Sequence, residues 1–139
     1  PFAWRLSLAA ARQRLGDFAG LRWIEEGLAP GVHTARPETL GDMVVGRKDI
    51  GAGYVIASVI DDARQGISHV VRGVDLAELT STQRVLQALL ELPTPIYRHH
   101  RLVLDATGRR LAKRDGSTSL ASLRAAGMTP QDLLAELGL

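Results

Sequence analysis

The sequence has no cysteine, few aromatic residues (4%) and no long apolar run. The first absence excludes disulfides and any zinc site built on thiolates. Four histidines, His33, His69, His99 and His100, remain as nitrogen donors, but only the last two are neighbours and no H-x3-H pair exists. No zinc site is therefore expected in this chain. The apolar stretch YVIASVI is bounded by Gly53 and Asp61, far short of the roughly 20 residues a membrane helix needs. A basic-then-apolar signal segment is also missing from the start, so secretion has no support and a cytoplasmic setting is expected. Charge of one sign is scarce as well: the formal net charge is +2. With a pI of about 9.5, that balance alone is a weak pointer to nucleic acid. The chain opens on Pro1 rather than a methionine, which leads us to expect a fragment or a processed start.

What is present is ordinary for a folded protein. With 45% hydrophobic and 23% charged residues, 139 residues bury one modest core, so one domain or part of one is expected and disorder is excluded. No internal repeat or low-complexity segment is visible.

The periodicities alternate between two and 3.6. FAWRLSL alternates loosely as a strand does, and AAARQRL after it has helical propensity. LRWIEEG reads as a short strand closed by a turn at Gly27. Residues 28–41, with two prolines and two glycines, read as loop. MVVGRKD reads as a strand that DIGAG interrupts. From Ala52 to Ala63 the apolar positions Val55, Ile56, Val59, Ile60 and Ala63 recur at helix spacing, with a glycine stop at Gly66. ISHVVRG is a buried strand. STQRVLQALLEL is a helix with Thr80 or Ser81 as N-cap and Val85, Leu86, Leu89 and Leu90 on one face; Pro93 and Pro95 end it. IYRHHRLVL is a strand leading into the turn DATG. Two short helices close the chain, the second with Thr129 as cap and Pro130 at its first position. The fold class is α/β with mainly parallel strands. Trp4 and Trp23 are expected in the core.

One cluster carries an obvious chemical signal. In GRRLAKRDG, Arg109, Arg110, Lys113 and Arg114 place four cations within six residues after an apolar strand. A cationic loop of this kind suits a triphosphate whose charge redistributes during displacement at phosphorus. A solvated turn, or a contact to RNA backbone phosphates, accounts for it equally well. Asp61 and Asp62 point about 100° apart on a helix, so a helix-end or tertiary salt-bridge role is favoured over paired acid–base work. Tyr54 at a helix start and Arg72 at a strand end occupy typical ligand-facing places of an open α/β sheet, though each alone reads as structural. The pair His99-His100 reads as packing or surface rather than catalysis.

In order along the chain, RKD-x4-Y, VIDDARQGISHVVRGVDL, STQRVLQALL and PTPIYRHHRLVLDATGRRLAKRDG resemble the class I glutamyl-tRNA synthetases, from about Gly41 to Ser119. The resemblance implies part of a Rossmann-like catalytic domain over residues 1–118 and a short helical tail over 119–139. It makes Arg110, Leu111, Ala112, Lys113 and Arg114 the KMSKS-like ATP-binding loop, with Lys113 the catalytic lysine on the ATP phosphates. Arg110 replaces the first lysine of that motif and Ala112 its serine; the charge is kept and a hydroxyl is lost. The resemblance also places Tyr54 and Arg72 in the glutamate pocket, where a guanidinium fork suits a carboxylate. ATP with its Mg2+, L-glutamate and a tRNA are the implied partners, and no protein ligand is named for the metal.

The family's other motif, H-x-G-H, does not occur, so the half of the catalytic domain that carries it is expected outside this chain, and this piece alone is expected to be inactive. An open strand edge and an apolar sheet face should then need that half, or self-association, to be covered. The ending LRAAGMTPQDLLAELGL is similar to the short glutamyl-Q tRNA(Asp) synthetases, which lack the anticodon-binding domain and modify queuosine in tRNA(Asp). The alternatives are a piece of an ordinary glutamyl-tRNA synthetase charging tRNA(Glu), and a non-catalytic RNA-binding module.

Overall fold

The computed structural model describes residues 2–49, 51–105, 107–111 and 119–138. The chain forms two compact units, Pro1–His100 and Arg101–Leu139.

The first unit is built around a β-α-β element: β6 (His69–Gly73), α3 (Leu79–Leu89) and β7 (Ile96–His100). β6 and β7 pair in parallel with Arg72 opposite His99. On its other side β7 pairs in parallel with β2 (Arg22–Glu25), and β2 pairs antiparallel with β3 (Gly31–Thr34). The resulting order is β3-β2-β7-β6. A second, three-stranded antiparallel sheet joins β1 (Trp4–Arg5), β4 (Val44–Arg47) and β5 (Gly51–Ala52). The α/β class is as read from the sequence, but the pairing is mixed rather than mainly parallel. The difference arises from the antiparallel β1-β4-β5 sheet and from residues 28–41, read as loop: Gly31–Thr34 forms β3 as the return arm of a hairpin, and Pro37–Thr39 forms a 3-10 turn.

Two helices cover the core. α1 (Leu8–Leu15) is capped by Ser7, whose hydroxyl accepts from the Ala10 N–H. α2 (Tyr54–Arg64) begins where the Gly53 N–H donates to the Val45 carbonyl at 2.7 Å. It ends where Gly66, at φ +66°, returns its N–H to Ala63 O, a left-handed turn that an L side chain resists. Leu6, Ala11, Phe18, Val55, Val59, Val85 and Leu86 form the main apolar core, and Trp23, Ala35 and Tyr97 a second cluster.

Two expectations about α3 fail together. The helix begins at Leu79, so Thr80 and Ser81 lie inside it and are buried, their hydroxyls used across the fold rather than as caps. Leu90, at the C-cap, is exposed instead of sharing the buried face. Trp4 also departs from expectation. It is 65% exposed, on the short edge strand β1, and meets Phe2 edge to face. Trp23 is buried as expected.

In the second unit, Leu104 and Arg110 face each other across an antiparallel bridge. It is followed by α4 (Leu120–Ala125) and α5 (Pro130–Leu137). Thr129 and Asp132 cap α5 reciprocally, with Pro130 at the first turn. Among the described residues, no helix is long and apolar enough to cross a membrane.

Candidate functional site

The four-stranded sheet inverts the usual alternation. Along β2 the inward residues are Trp23 and Glu25; along β7 they are Tyr97 and His99; along β6 the buried residue is Arg72. Ile24, Val32 and Val71, by contrast, are exposed. Charged and polar side chains therefore occupy the face that α3 covers, and α3 answers with the buried polar residues Thr80, Gln83 and Gln87. Such a face is costly unless its groups are paired.

Glu25, His99, Arg72, Thr80, Tyr97 and Gln87 are linked in a chain, whereas Trp23 Nε1 and the side-chain oxygens of Gln83 and Gln87 have no hydrogen-bond partner among the described residues. Glu25 Oε1 accepts two backbone N–H groups, from Gly27 and from His99, each at 2.8 Å. Its Oε2 lies 2.6 Å from His99 Nδ1. On the far side of the ring, Arg72 Nε donates to His99 Nε2 at 3.1 Å. Arg72 Nη2 donates to Thr80 Oγ1 at 2.7 Å, and the guanidinium lies 5.2 Å from the centre of the Tyr97 ring. Tyr97 in turn stacks on His99 and accepts from Gln87 Nε2 at 3.0 Å. Burial by itself raises the Glu25 carboxyl, but hydrogen bonds from the His99 backbone and ring and from Gly27 outweigh it and hold the group below its ordinary value. Burial raises Asp62 of α2; the charge of Arg72 pulls it down and that of Asp61 pushes it up, and the balance is upward.

Gly27 makes this approach feasible. A Cβ there would lie 2.1 Å from the His99 carbonyl oxygen and 2.7 Å from Glu25 Oε1, so only glycine lets the end of β2 pass so close to β7. Beside the pair, a cavity of about 110 Å³ is lined by Trp23, Glu25, Leu28, His33, Val74 and His99, among others. Glu25, Arg72 and His99 lie at the carboxyl ends of parallel strands, where open α/β sheets take their ligands.

Arg72 is thus a nearly buried cation, 8% exposed, anchored through Nε and Nη2. Its Nη1 makes no hydrogen bond among the described residues. A free guanidinium edge is the kind of group that suits a planar anion. Tyr54 stands at the first residue of α2 and is mostly exposed, and its hydroxyl makes no hydrogen bond among the described residues. The hydrogen bonds and ring contact of Arg72 run to β7 and α3, and its charge also acts on Asp62 of α2; none of these joins it to Tyr54.

Of the basic loop, Arg110 and Leu111 are described, while Ala112, Lys113 and Arg114 lie outside the described residues. The DATG turn ahead of it is held by Asp105. Its Oδ1 accepts from the Thr107 N–H and hydroxyl and from the Arg109 N–H, at 2.7–2.9 Å. These bonds, Thr107's first, hold the Asp105 carboxyl below its ordinary value. Gly108, at φ +80°, supplies the left-handed residue, and Leu111 N–H donates to Val103 O at 3.2 Å. Arg110 therefore sits on the outgoing arm of a tight hairpin. Among the described residues, no group of three His, Asp or Glu side chains could hold a metal ion.

Residues 28–139 match the family model of the class I tRNA synthetases (E and Q), catalytic domain. The chain belongs to that family. The chain is 47% identical over 113 residues to a glutamyl-Q tRNA(Asp) synthetase of Rhodobacter capsulatus, covering 78% of the chain and 41% of the relative. It is 43% identical to another so named from Leptothrix cholodnii, over 91% of the chain and 40% of the relative. A glutamate–tRNA ligase of Synechococcus is 42% identical over 88% of the chain and 26% of the relative. A crystal structure of a glutamate-tRNA synthetase from Elizabethkingia anophelis shares the fold, with TM-score 0.56 and 24% identity over 84% of the chain and 20% of that structure's chain. The chain thus spans under half the length of these relatives.

Sequence reasoning passed over Glu25, read Thr80 as a helix cap, and read His99 as packing or surface, which its burial bears out. RWIEEG reads as a strand running into a turn, and a histidine pair at a strand end carries no signal of its own. The signal that could have found them is the shared period of two: Trp23 and Glu25, Tyr97 and His99, in line with the arginine of VVRG.

Proposed function

We propose that the protein containing this chain activates glutamate with ATP and transfers it to queuosine in the anticodon of tRNA(Asp). The observation that carries the first half is the anchored Arg72 with an unspent Nη1 edge at the carboxyl ends of the parallel strands. In this reading Arg72 binds a glutamate carboxylate and Tyr54 lines the same pocket with its ring and hydroxyl. Lys113, with Arg110 beside it in the loop, holds the ATP phosphates.

An oxygen of the glutamate carboxylate attacks the α-phosphorus of ATP, and the bond to the bridging oxygen breaks to release pyrophosphate. Negative charge grows on that leaving group, and Lys113 offsets it. A hydroxyl of the queuosine ring then attacks the adenylate carbonyl, loses its proton, and AMP leaves. Mg2+ enters with ATP as part of the substrate, held by the phosphates. The likeness to proteins named glutamyl-Q tRNA(Asp) synthetase supports the second half.

A second reading has its own support. The glutamate–tRNA ligase of Synechococcus is similar over 88% of the chain, which favours an ordinary synthetase charging the 3′ end of tRNA(Glu). The full-length protein, given labelled glutamate, ATP and either queuosine-containing tRNA(Asp) or tRNA(Glu), separates the two. Label in the anticodon loop of tRNA(Asp) alone is expected; label on the 3′ end of tRNA(Glu) would replace the first reading by the second. Failure of both, with RNA still bound, would leave a non-catalytic RNA-binding module.

A further inference from the structure

We propose that Glu25 and His99 are positioning residues for glutamate binding, fixing by their hydrogen-bond polarity the edge of Arg72 that receives the carboxylate. This rests on the assignment of Arg72 to the glutamate pocket and adds two residues to it.

An arginine side chain has donors and no acceptor. The 3.1 Å contact between Arg72 Nε and His99 Nε2 therefore has one polarity: the arginine donates, and Nε2 carries no proton. The proton of a neutral imidazole is then on Nδ1, where it meets Glu25 Oε2 at 2.6 Å. Glu25 cannot turn away from this task, because its other oxygen is held by the N–H groups of Gly27 and His99. Donation thus converges on the carboxylate, from the β2–β7 backbone on one side and from the guanidinium through the ring on the other. All three residues are nearly inaccessible, at 5%, 4% and 8% exposure. With Thr80 holding Nη2 and Tyr97 under the plane, the Nη1 edge is held in one orientation, the one that in this proposal receives the glutamate carboxylate.

The sharpest perturbation leaves the volume unchanged. In Glu25→Gln, the two backbone N–H groups still demand an acceptor, so the side-chain oxygen stays with them and the amide NH2 faces His99 Nδ1. His99 must then accept at Nδ1 and carry its proton on Nε2, which points a donor at the Arg72 Nε–H. In the full-length protein, pyrophosphate exchange should give a glutamate KM raised about tenfold or more, the scale of one lost charge-assisted hydrogen bond. The KM for ATP should not move. His99→Gln, whose Oε1 can still accept from Arg72 and has no tautomer to flip, should retain more glutamate affinity than His99→Leu. Adding Glu25→Gln to His99→Gln should cost much less than it does in the wild type.

Nitrogen NMR of 15N-histidine-labelled full-length protein, with His99 assigned through the His99→Gln variant, reads the tautomer directly. The wild type should carry the proton on Nδ1, and Glu25→Gln should move it to Nε2. A wild-type His99 protonated on Nε2, or on both nitrogens at neutral pH, would overturn the proposal and leave the function untouched. An unchanged glutamate KM in Glu25→Gln, with Arg72→Gln strongly impaired, would overturn it too. An Arg72→Gln variant with normal glutamate KM would instead refute the glutamate pocket itself. Should Glu25→Gln unfold, the wild-type tautomer and the two His99 variants still decide.

Discussion

Truncating Glu25 to alanine removes the acceptor of three donors at once: the N–H groups of Gly27 and His99 and the His99 ring proton. Each buried donor left unpaired costs about 1–3 kcal/mol. The neighbouring cavity of about 110 Å³, enlarged by the lost side chain, lets water satisfy some of them, which brings the expected total to about 3 kcal/mol. Against a typical stability of about 5–15 kcal/mol, that is a large fraction. In urea, with a slope of about 1–3 kcal/mol per molar, the midpoint should fall by about 1–3 M without a change in slope. Glu25→Gln keeps the acceptor for the two backbone groups and should lose about 1–2 kcal/mol. A Glu25→Ala loss below about 1 kcal/mol would refute the reasoning, since it would mean that the buried donors are satisfied without the carboxylate.

The same carboxylate sets an acid dependence. Its native value lies below the ordinary 4.5, so on acidification the unfolded chain takes up this proton before the folded one does. The stabilisation is therefore complete above the ordinary value and is lost as pH falls through it toward the lower native value. Urea midpoints between pH 6 and pH 3 should drop more steeply for the wild type than for Glu25→Gln.

Three further outcomes follow from the packing. Leu86→Ala, in the core between α3 and its neighbours, should cost about 2–4 kcal/mol by urea denaturation, because the site is closed on all sides; a cost below 1 kcal/mol would contradict that packing. Gly27→Ala places a methyl group 2.1 Å from the His99 carbonyl and should cost several-fold more than alanine at the open Gly20, where no atom lies within 4 Å; equal losses would remove the argument for close approach. Exposed Ile24, Val32 and Val71 on the outer sheet face should make this chain by itself associate in analytical ultracentrifugation, and a monodisperse monomer that unfolds cooperatively would show that this face needs no cover.

Helix periods were the legible part of the fold. The spacing of Val55, Val59, Val85 and Leu86 marks α2 and α3, and Thr129-Pro130 marks the start of α5, because caps and apolar stripes are local signals. β3 was hidden because Gly31–Thr34 is short, opens on a glycine after Pro30, and pairs only through a hairpin with β2. Thr80 and Ser81 were misleading: hydroxyls near a helix start satisfy local backbone in isolation, whereas here Arg72 and the Arg36 N–H recruit them across the fold. The site was half legible. Arg72 and the basic loop are conspicuous by charge and by resemblance, but the support behind Arg72 comes from residues 27 and 47 positions away, at His99 and Glu25, and only the β2-β7-β6 register brings those three together.

The most direct test of the glutamate-activation reading is pyrophosphate exchange with ATP and glutamate by the full-length protein without tRNA, comparing wild type, Arg72→Gln and Lys113→Ala. Glutamate-dependent exchange is expected in the wild type, with a strongly raised glutamate KM in Arg72→Gln and a loss of about 100-fold or more in Lys113→Ala, the scale of one charge-stabilising donor. Exchange unaffected by both substitutions, or exchange that does not depend on glutamate, would contradict the account.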